Sequence, residues 1–375
     1  MIVYDDVLKN VVGEFGVYQR VCCFLLALFN VLSAFGAVSP VFIQPDTDHW
    51  CRIPESDDLI ATCRALNRTT DCVSMVKHLS IPKERYDDGC QTSWKFSNCR
   101  RYNNISTDFR ELLVNNSVTI GCDHGWEYDT SQYISTVIHE FDLVCDRYYL
   151  NALMTSLHMA GYMCGNIVFG PLSDKIGRMK VFMIAIILFE VCTLIEALAP
   201  NLVVFAVFRF GAAIALHGGF LTSFVLMTEA VGPSKRTYVG VILFLFYSCG
   251  YMAFALIGYL IREWRYLLLV ISLPGVLFLS YWWIIPESAR WLLAVGDIRR
   301  AERILKKTAR MNRKSIPDDV FPAREVEEDV KKPVDQNDNK SGCKRVRVGD
   351  IFRFKTTRKR CLIMFYAGYV YRLFH

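Results

Sequence analysis

The residues best suited to do chemistry are acids and bases set a few positions apart between long apolar runs. Gly170 to Val181 reads GPLSDKIGRMKV and brings Asp174, Lys175, Arg178 and Lys180 into one short stretch. Glu229 and Arg236 bound EAVGPSKR, and Glu287 and Arg290 stand in PESARWL. The chemistry open to such groups is reversible ion pairing. A carboxylate and a guanidinium bond where helix ends meet and are hydrated where they part. The plainer reading is basic turns that anchor helix ends at a membrane surface. The sequence holds no nucleophile elbow, phosphate-binding loop or zinc-protease helix, so an enzyme, a cofactor and a metal site are not expected.

The elements that must position these charges are membrane spans. Hydrophobic residues make up 53% of the 375-residue chain, with 25 Phe, and the mean hydropathy is +0.23; both are high for a soluble protein. Residues 1–20 carry Val7, Leu8, Val11, Val12 and Phe15 at helical spacing and read as an amphipathic cytosolic lead-in. A first uncharged span follows at 21–43, of a length that crosses a bilayer. Residues 44–149 are polar, 150–285 hold five further spans, and 286–360 are polar and basic. A seventh apolar run, 361–375, is too short to cross comfortably. Residues 44–149 carry 11 Lys and Arg against 17 Asp and Glu, whereas 287–360 carry 21 against 12. This asymmetry places the first segment outside and the second inside. The basic excess therefore indicates a cytosolic loop; no nucleic-acid motif accompanies it.

Several polar residues fall inside the spans, each with two readings. Asn30 either bonds a neighbouring helix or faces a cavity. His158, Tyr162 and Asn166 follow at steps of four and share a face that could line a cavity or bond within the bundle. Gly161 and Gly165 allow that helix to pack tightly on a neighbour, and Pro171 is expected to help end it. Glu190 lies deep, where it is either protonated, paired with a basic residue such as Arg209, or attractive to cations, while Glu196 is expected near the outer interface. Tyr247 and Tyr251 could present aromatic faces to a cation or serve only packing.

Seven cysteines, Cys51, Cys63, Cys72, Cys90, Cys99, Cys122 and Cys145, crowd the 44–149 segment with sequons at Asn67, Asn104 and Asn115. Together they read as a small, disulfide-stapled, glycosylated extracellular domain. Seven is odd, and Cys72 is the residue expected to be left over. The rival zinc reading lacks a close Cys-x-x-Cys pair.

The order in GPLSDKIGR resembles the signature loop between helices 2 and 3 of major facilitator superfamily transporters. PESARWL, REWRYL at 262–267, and Arg209 followed by Gly211, Gly218 and Gly219 resemble further motifs of that group. PDTDHWC at 45–51 and GWEYDTSQYISTVIHEFDLVCD at 125–146 are similar to the extracellular loop of the organic cation, organic anion and carnitine transporters. Sugar porters lack such an insert. The resemblance implies an all-α membrane protein: the N-terminal six-helix bundle of the superfamily, with a cysteine-rich extracellular domain between helices 1 and 2. It also implies alternating access, with Asp174, Arg178, Glu229, Arg236, Glu287 and Arg290 as a cytosolic gate.

The expected setting is the plasma membrane, with lipid around the spans. The expected substrate is a small organic cation or a carnitine-like zwitterion, with the co-transported ion unassigned. Only half of a twelve-helix carrier is covered, so the chain reads as an N-terminal half or a truncated product. An organic-anion carrier, or a non-transporting glycoprotein associated with full-length carriers, are the alternatives. Glycosidase treatment of protein made in a secretory cell is expected to increase its gel mobility; an unchanged band would contradict the external placement of 44–149.

Overall fold

The computed structural model describes residues 2–53, 58, 60, 61, 64, 72–87, 92–103 and 118–314. The three sequons, Cys63, Cys90, residues 315–360 and the apolar run 361–375 lie outside the described residues.

Helix α1 (Ile2–Val7) runs into a wide π turn at Leu8–Val12 and leads to α2 (Val17–Ile43). The start of α2 is capped where Gly16 N donates to Gln19 Oε1 at 3.0 Å. The polar segment after it holds β1 (His49–Cys51), α3 (Cys72–Ser80), β2 (Lys83–Asp87), β3 (Thr92–Phe96), β4 (Arg100–Tyr102), β5 (Thr119–Gly121), β6 (Trp126–Tyr128) and α4 (Val137–Phe141). Its strands pair antiparallel as β1 with β6, β2 with β3 and β4 with β5. Cys51 is joined to Cys122 and Cys99 to Cys145. Cys72, expected to be the spare thiol, is itself disulfide-bonded.

Four long helices follow: α5 (Tyr148–Ile176), α6 (Arg178–Ala197), α7 (Leu202–Ala230) and α8 (Arg236–Leu260). Next come α9 (Trp264–Phe278) and the short α10 (Tyr281–Ile284), then α11 (Ala289–Val295) and α12 (Ile298–Met311). Ser288 and Asp297 cap the last two by accepting from Trp291 N and Arg300 N. Among the described residues, four helical stretches are long and apolar enough to cross a membrane: Val17–Ile43, Leu202–Ala230, Pro233–Leu260 and Trp264–Ile284. Helix α5 is as long but more polar, and α6 carries Arg178, Lys180, Glu190 and Glu196.

Helix α7 packs against α5, α6 and α2, while α8 and α9 pack against α2. Phe29 sets its ring 4.8 Å from Phe182 and 5.7 Å from Phe278, tying α2, α6 and α9 through edge-on contacts. Outward faces carry apolar side chains such as Met163, Ile167, Val203 and Leu273. That surface suits lipid rather than water.

One local expectation changes. Pro171 does not end α5, which carries Asp174 and Lys175 for another turn. The break comes at Gly177, whose φ of +119° is open to glycine but strained for other residues. A Cβ there would also stand 2.5 Å from Glu287 Oε2. Arg265, in the first turn of α9, acts as a staple. Arg265 donates to the carbonyls of Ala197 (2.6 Å) and Ala199 (2.9 Å), satisfying orphan acceptors at the end of α6, and it pairs with Glu140.

Gly161 and Gly165 lie against α7 as their spacing suggested. A Cβ at Gly165 would meet Ile214 O at 2.5 Å, whereas one at Gly170 would find its nearest atom at 4.0 Å. Gly165→Ala is expected to destabilise the helix pair by about 1–3 kcal/mol and Gly170→Ala to do little. Thermal unfolding in detergent checks this, and equal melting temperatures would refute close packing of α5 on α7.

Candidate functional site

One end of the bundle gathers the charged residues of the three motifs. Arg178, at the start of α6, donates to Asp174 Oδ1 on α5 at 2.5 Å and to Glu229 Oε1 at the end of α7 at 3.3 Å. The second oxygen of Glu229 accepts from Ser288 Oγ at 2.5 Å, just before α11. Glu287 Oε1 accepts from the backbone N of Met179 (2.8 Å) and of Ser288 (3.1 Å). This places a carboxylate at the amino end of α6, where unpaired N–H groups and the helix dipole favour it. Trp291 Nε1 donates to the Asp174 carbonyl at 2.8 Å.

Arg236 and Arg290 join through a residue the sequence did not flag. Arg236 Nη2 donates to Asp5 Oδ1 at 2.8 Å, and Arg290 Nη1 lies 3.8 Å from the same oxygen. Tyr4 OH donates to the Glu229 carbonyl at 3.0 Å. Burial first, and then the Glu229 charge, push the Tyr4 phenol above its ordinary range and keep it a donor. The six motif residues therefore form one connected network completed by Asp5, Tyr4 and Ser288.

A second cluster lies among the helices. Arg209 Nη1 donates to Glu196 Oε1 at 3.0 Å and Nη2 to Ser39 Oγ at 2.9 Å, with all three side chains buried. This overturns two expectations. Glu196 is fully buried rather than wetted at an interface, and it is Glu196, not Glu190, that pairs with Arg209. The tight turn between α6 and α7 sets these two residues opposite each other. Glu190 lies against Gly275 of α9, where any Cβ would overlap its carboxylate. Its Oε1 has no hydrogen-bond partner among the described residues.

The proposed cavity residues divide. His158 Nε2 and Tyr162 OH are 2.7 Å apart on α5. The Tyr162 ring lies 4.1 Å from that of His217 on α7, a residue not singled out from sequence. Phe220 then leads to Tyr247 at 5.7 Å, and Tyr247 to Tyr251 at 5.1 Å, on α8. A cavity of about 230 Å³ lies along this ladder, lined in part by Ser33, His217, Phe220 and Tyr247. Asn166 is exposed and stands outside the ladder. Asn30 is buried and donates to its own helix at Leu26 O, 2.8 Å away, rather than to a neighbour. Arg209 borders only a void of about 10 Å³. Far from this cluster, His49 lies beside Cys99 and Cys145, whose sulfurs are bonded to each other rather than free to ligate a metal.

Removing one member of the buried pair strands the other charge. Glu196→Leu and Arg209→Met are each expected to cost about 3–5 kcal/mol of stability, with the double variant recovering much of it. Thermal unfolding of the three proteins checks this; additive losses would show that the pair does not act as a unit.

Comparison with known proteins adds the following. A model of the family described as "Sugar (and other) transporter" matches residues 117–370. The chain is 31% identical over 373 residues to the organic cation transporter protein of Drosophila melanogaster, covering 98% of this chain and 63% of that protein. It is 35% identical over 323 residues to the beta-alanine transporter of the same organism, covering 82% and 52%. It is 32% identical over 335 residues to organic cation/carnitine transporter 2 of Mus musculus, covering 87% and 57%. The chain thus spans about half to two thirds of the length of these curated relatives. Among solved structures it is similar to the proton:xylose symporter XylE, at 14% identity and a TM-score of 0.47, covering 83% of this chain and 52% of that one.

Proposed function

Because the chain belongs to the sugar (and other) transporter family of the major facilitator superfamily and is similar to organic cation and carnitine carriers within it, we propose that it forms the N-terminal bundle of an alternating-access carrier for small organic cations or carnitine-like zwitterions. Its relatives are transporters rather than enzymes. The observation that carries the reading is Arg178, shared between Asp174 and Glu229 at the ends of three helices. These contacts lie at the cytosolic face in this reading, with 44–149 outside as a cysteine-rich domain and the protein in the plasma membrane. When the inner ends close, Arg178 is held by both acids; when they part, water takes over the same groups. No covalent bond is made or broken, so the network can cycle.

Substrate recognition falls to the aromatic ladder from Tyr162 through His217, Phe220 and Tyr247 to Tyr251. Aromatic faces attract organic cations. The charge balance supports a cation or zwitterion over an anion: the Arg209 guanidinium is bound by Glu196, whereas Glu190 keeps a carboxylate oxygen without a partner among the described residues.

In the complete carrier, Asp174→Asn and Arg178→Ala are expected to lower uptake roughly fivefold or more, the lower end of a coupling between distant sites, with surface expression kept. Normal uptake in both variants would remove the gate. Tetraethylammonium and carnitine are expected to compete with the transported substrate. Competition by organic anions but by neither of these would overturn the substrate class.

A further inference from the structure

The segment before α2 holds none of the six charges assigned to the gate, yet it is fastened to the gate at several points. Asp5 accepts from Arg236 at 2.8 Å and faces Arg290 at 3.8 Å, so one carboxylate serves two arginines from separate elements, α8 and α11. The buried Tyr4 bonds the carbonyl of Glu229. Further along, Glu14 O accepts from Gly232 N at 3.2 Å, and the Glu14 carboxylate accepts from Ser234 Oγ. A Cβ at Gly232 would meet the Glu14 side chain at 2.7 Å, so the strand of chain sits tightly on the α7–α8 turn. On the opposite border, Asn312 beyond α12 donates to Val12 O (3.1 Å) and Gln19 Oε1 (2.9 Å). It also accepts from Tyr18 N at 3.0 Å. The segment thus closes over a small cavity lined by Tyr4, Leu8, Cys22, Glu229 and Thr308.

We propose that Asp5 is a positioning residue of the gate: it brings Arg236 and Arg290 together only while the helix ends are closed, and the segment Ile2–Gly16 is the strap that presents it. The inference rests on the gate reading above. Without Asp5, two guanidinium groups drawn into one place repel each other, and the closed arrangement alone bears that cost. With Asp5 between them the repulsion becomes a shared attraction. Once the ends part, the carboxylate keeps at most one arginine and the other is hydrated. Asp5 therefore stabilises one state over the other, which a contact equal in both states does not do. Its side chain is 26% exposed, so it tunes the equilibrium and does not lock it.

The test uses the complete carrier with Asp5→Asn and Asp5→Glu, compared per molecule at the cell surface. Three quantities are read: KM and Vmax for tetraethylammonium uptake, and the rate at which N-ethylmaleimide alkylates Cys22, followed by peptide mass spectrometry. Cys22 is 6% exposed beneath the strap and reports its release. Asp5→Asn is expected to speed alkylation and to raise the external KM about two- to fivefold, the range open to a partly exposed pair. Asp5→Glu is expected to restore both. Unchanged alkylation and uptake in Asp5→Asn would overturn the proposal. Faster alkylation with unchanged KM and Vmax would also overturn it, since the strap would then be only an anchor. If Asp5→Asn alone is silent while Asp174→Asn impairs uptake, the gate stands without this residue. Normal uptake in Asp174→Asn and Arg178→Ala would instead remove the gate, and this proposal with it.

Discussion

A guanidinium placed among apolar helices must find its counter-charge there, because no water is at hand to hydrate it. Arg209 meets that demand with Glu196 from the neighbouring helix and Ser39 from α2. Three helices are thereby fixed in register by one side chain. Breaking that contact would strand a desolvated charge, so Arg209, Glu196 and Ser39 tie α2, α6 and α7 into one packed body. The glycine contacts of α5 on α7 extend that body, since close backbone packing tolerates no sliding by fractions of an ångström.

Arg178 pairs in different surroundings. Side chains of the Arg209–Glu196 pair are 4% and 1% exposed, whereas Asp174, which faces Arg178, is 72% exposed. Water already touches the Asp174 carboxylate and can replace the guanidinium at small cost. Exposure rises from the Arg209–Glu196 pair, through Arg178 and Glu229 at 12% each, to Asp174.

Legibility from sequence followed the same division. The charges of GPLSDKIGRMKV, EAVGPSKR and PESARWL were readable because each sits at the end of an apolar run, and helix ends of adjacent spans meet. Asp5 was not readable: it stands 231 residues from Arg236, and a single acid in a short amphipathic lead-in carries no mark of its partner. The partner of Arg209 was misjudged on depth, because a polar residue near the end of a span looks wet until the turn and the loop beyond are in place. His217 was missed for a related reason. One histidine among apolar neighbours does not disclose which face it occupies, and only packing against Tyr162 does. Pro171 was given too much weight as a helix breaker; the glycine six residues later ends the helix.

The two ends of α6 are held by different elements. At its carboxyl end, Arg265 ties the last carbonyls to Glu140 of the polar segment, and Trp264 Nε1 bonds the same carboxylate at 2.9 Å. That segment is itself cross-linked through Cys51–Cys122 and Cys99–Cys145. At its amino end, the contacts to Asp174, Glu229 and Glu287 are side-chain bonds, some of them open to solvent. Both ends of α6 are thus held by side chains of other elements: Arg265 and Glu140 at the carboxyl end are 29% and 35% exposed, and Arg178 and Glu229 at the amino end 12% each. The polar segment between α2 and α5 therefore meets the bundle through Glu140, whose one carboxylate accepts from both Trp264 and Arg265 of α9 and so sets the end of α6 against the start of α9.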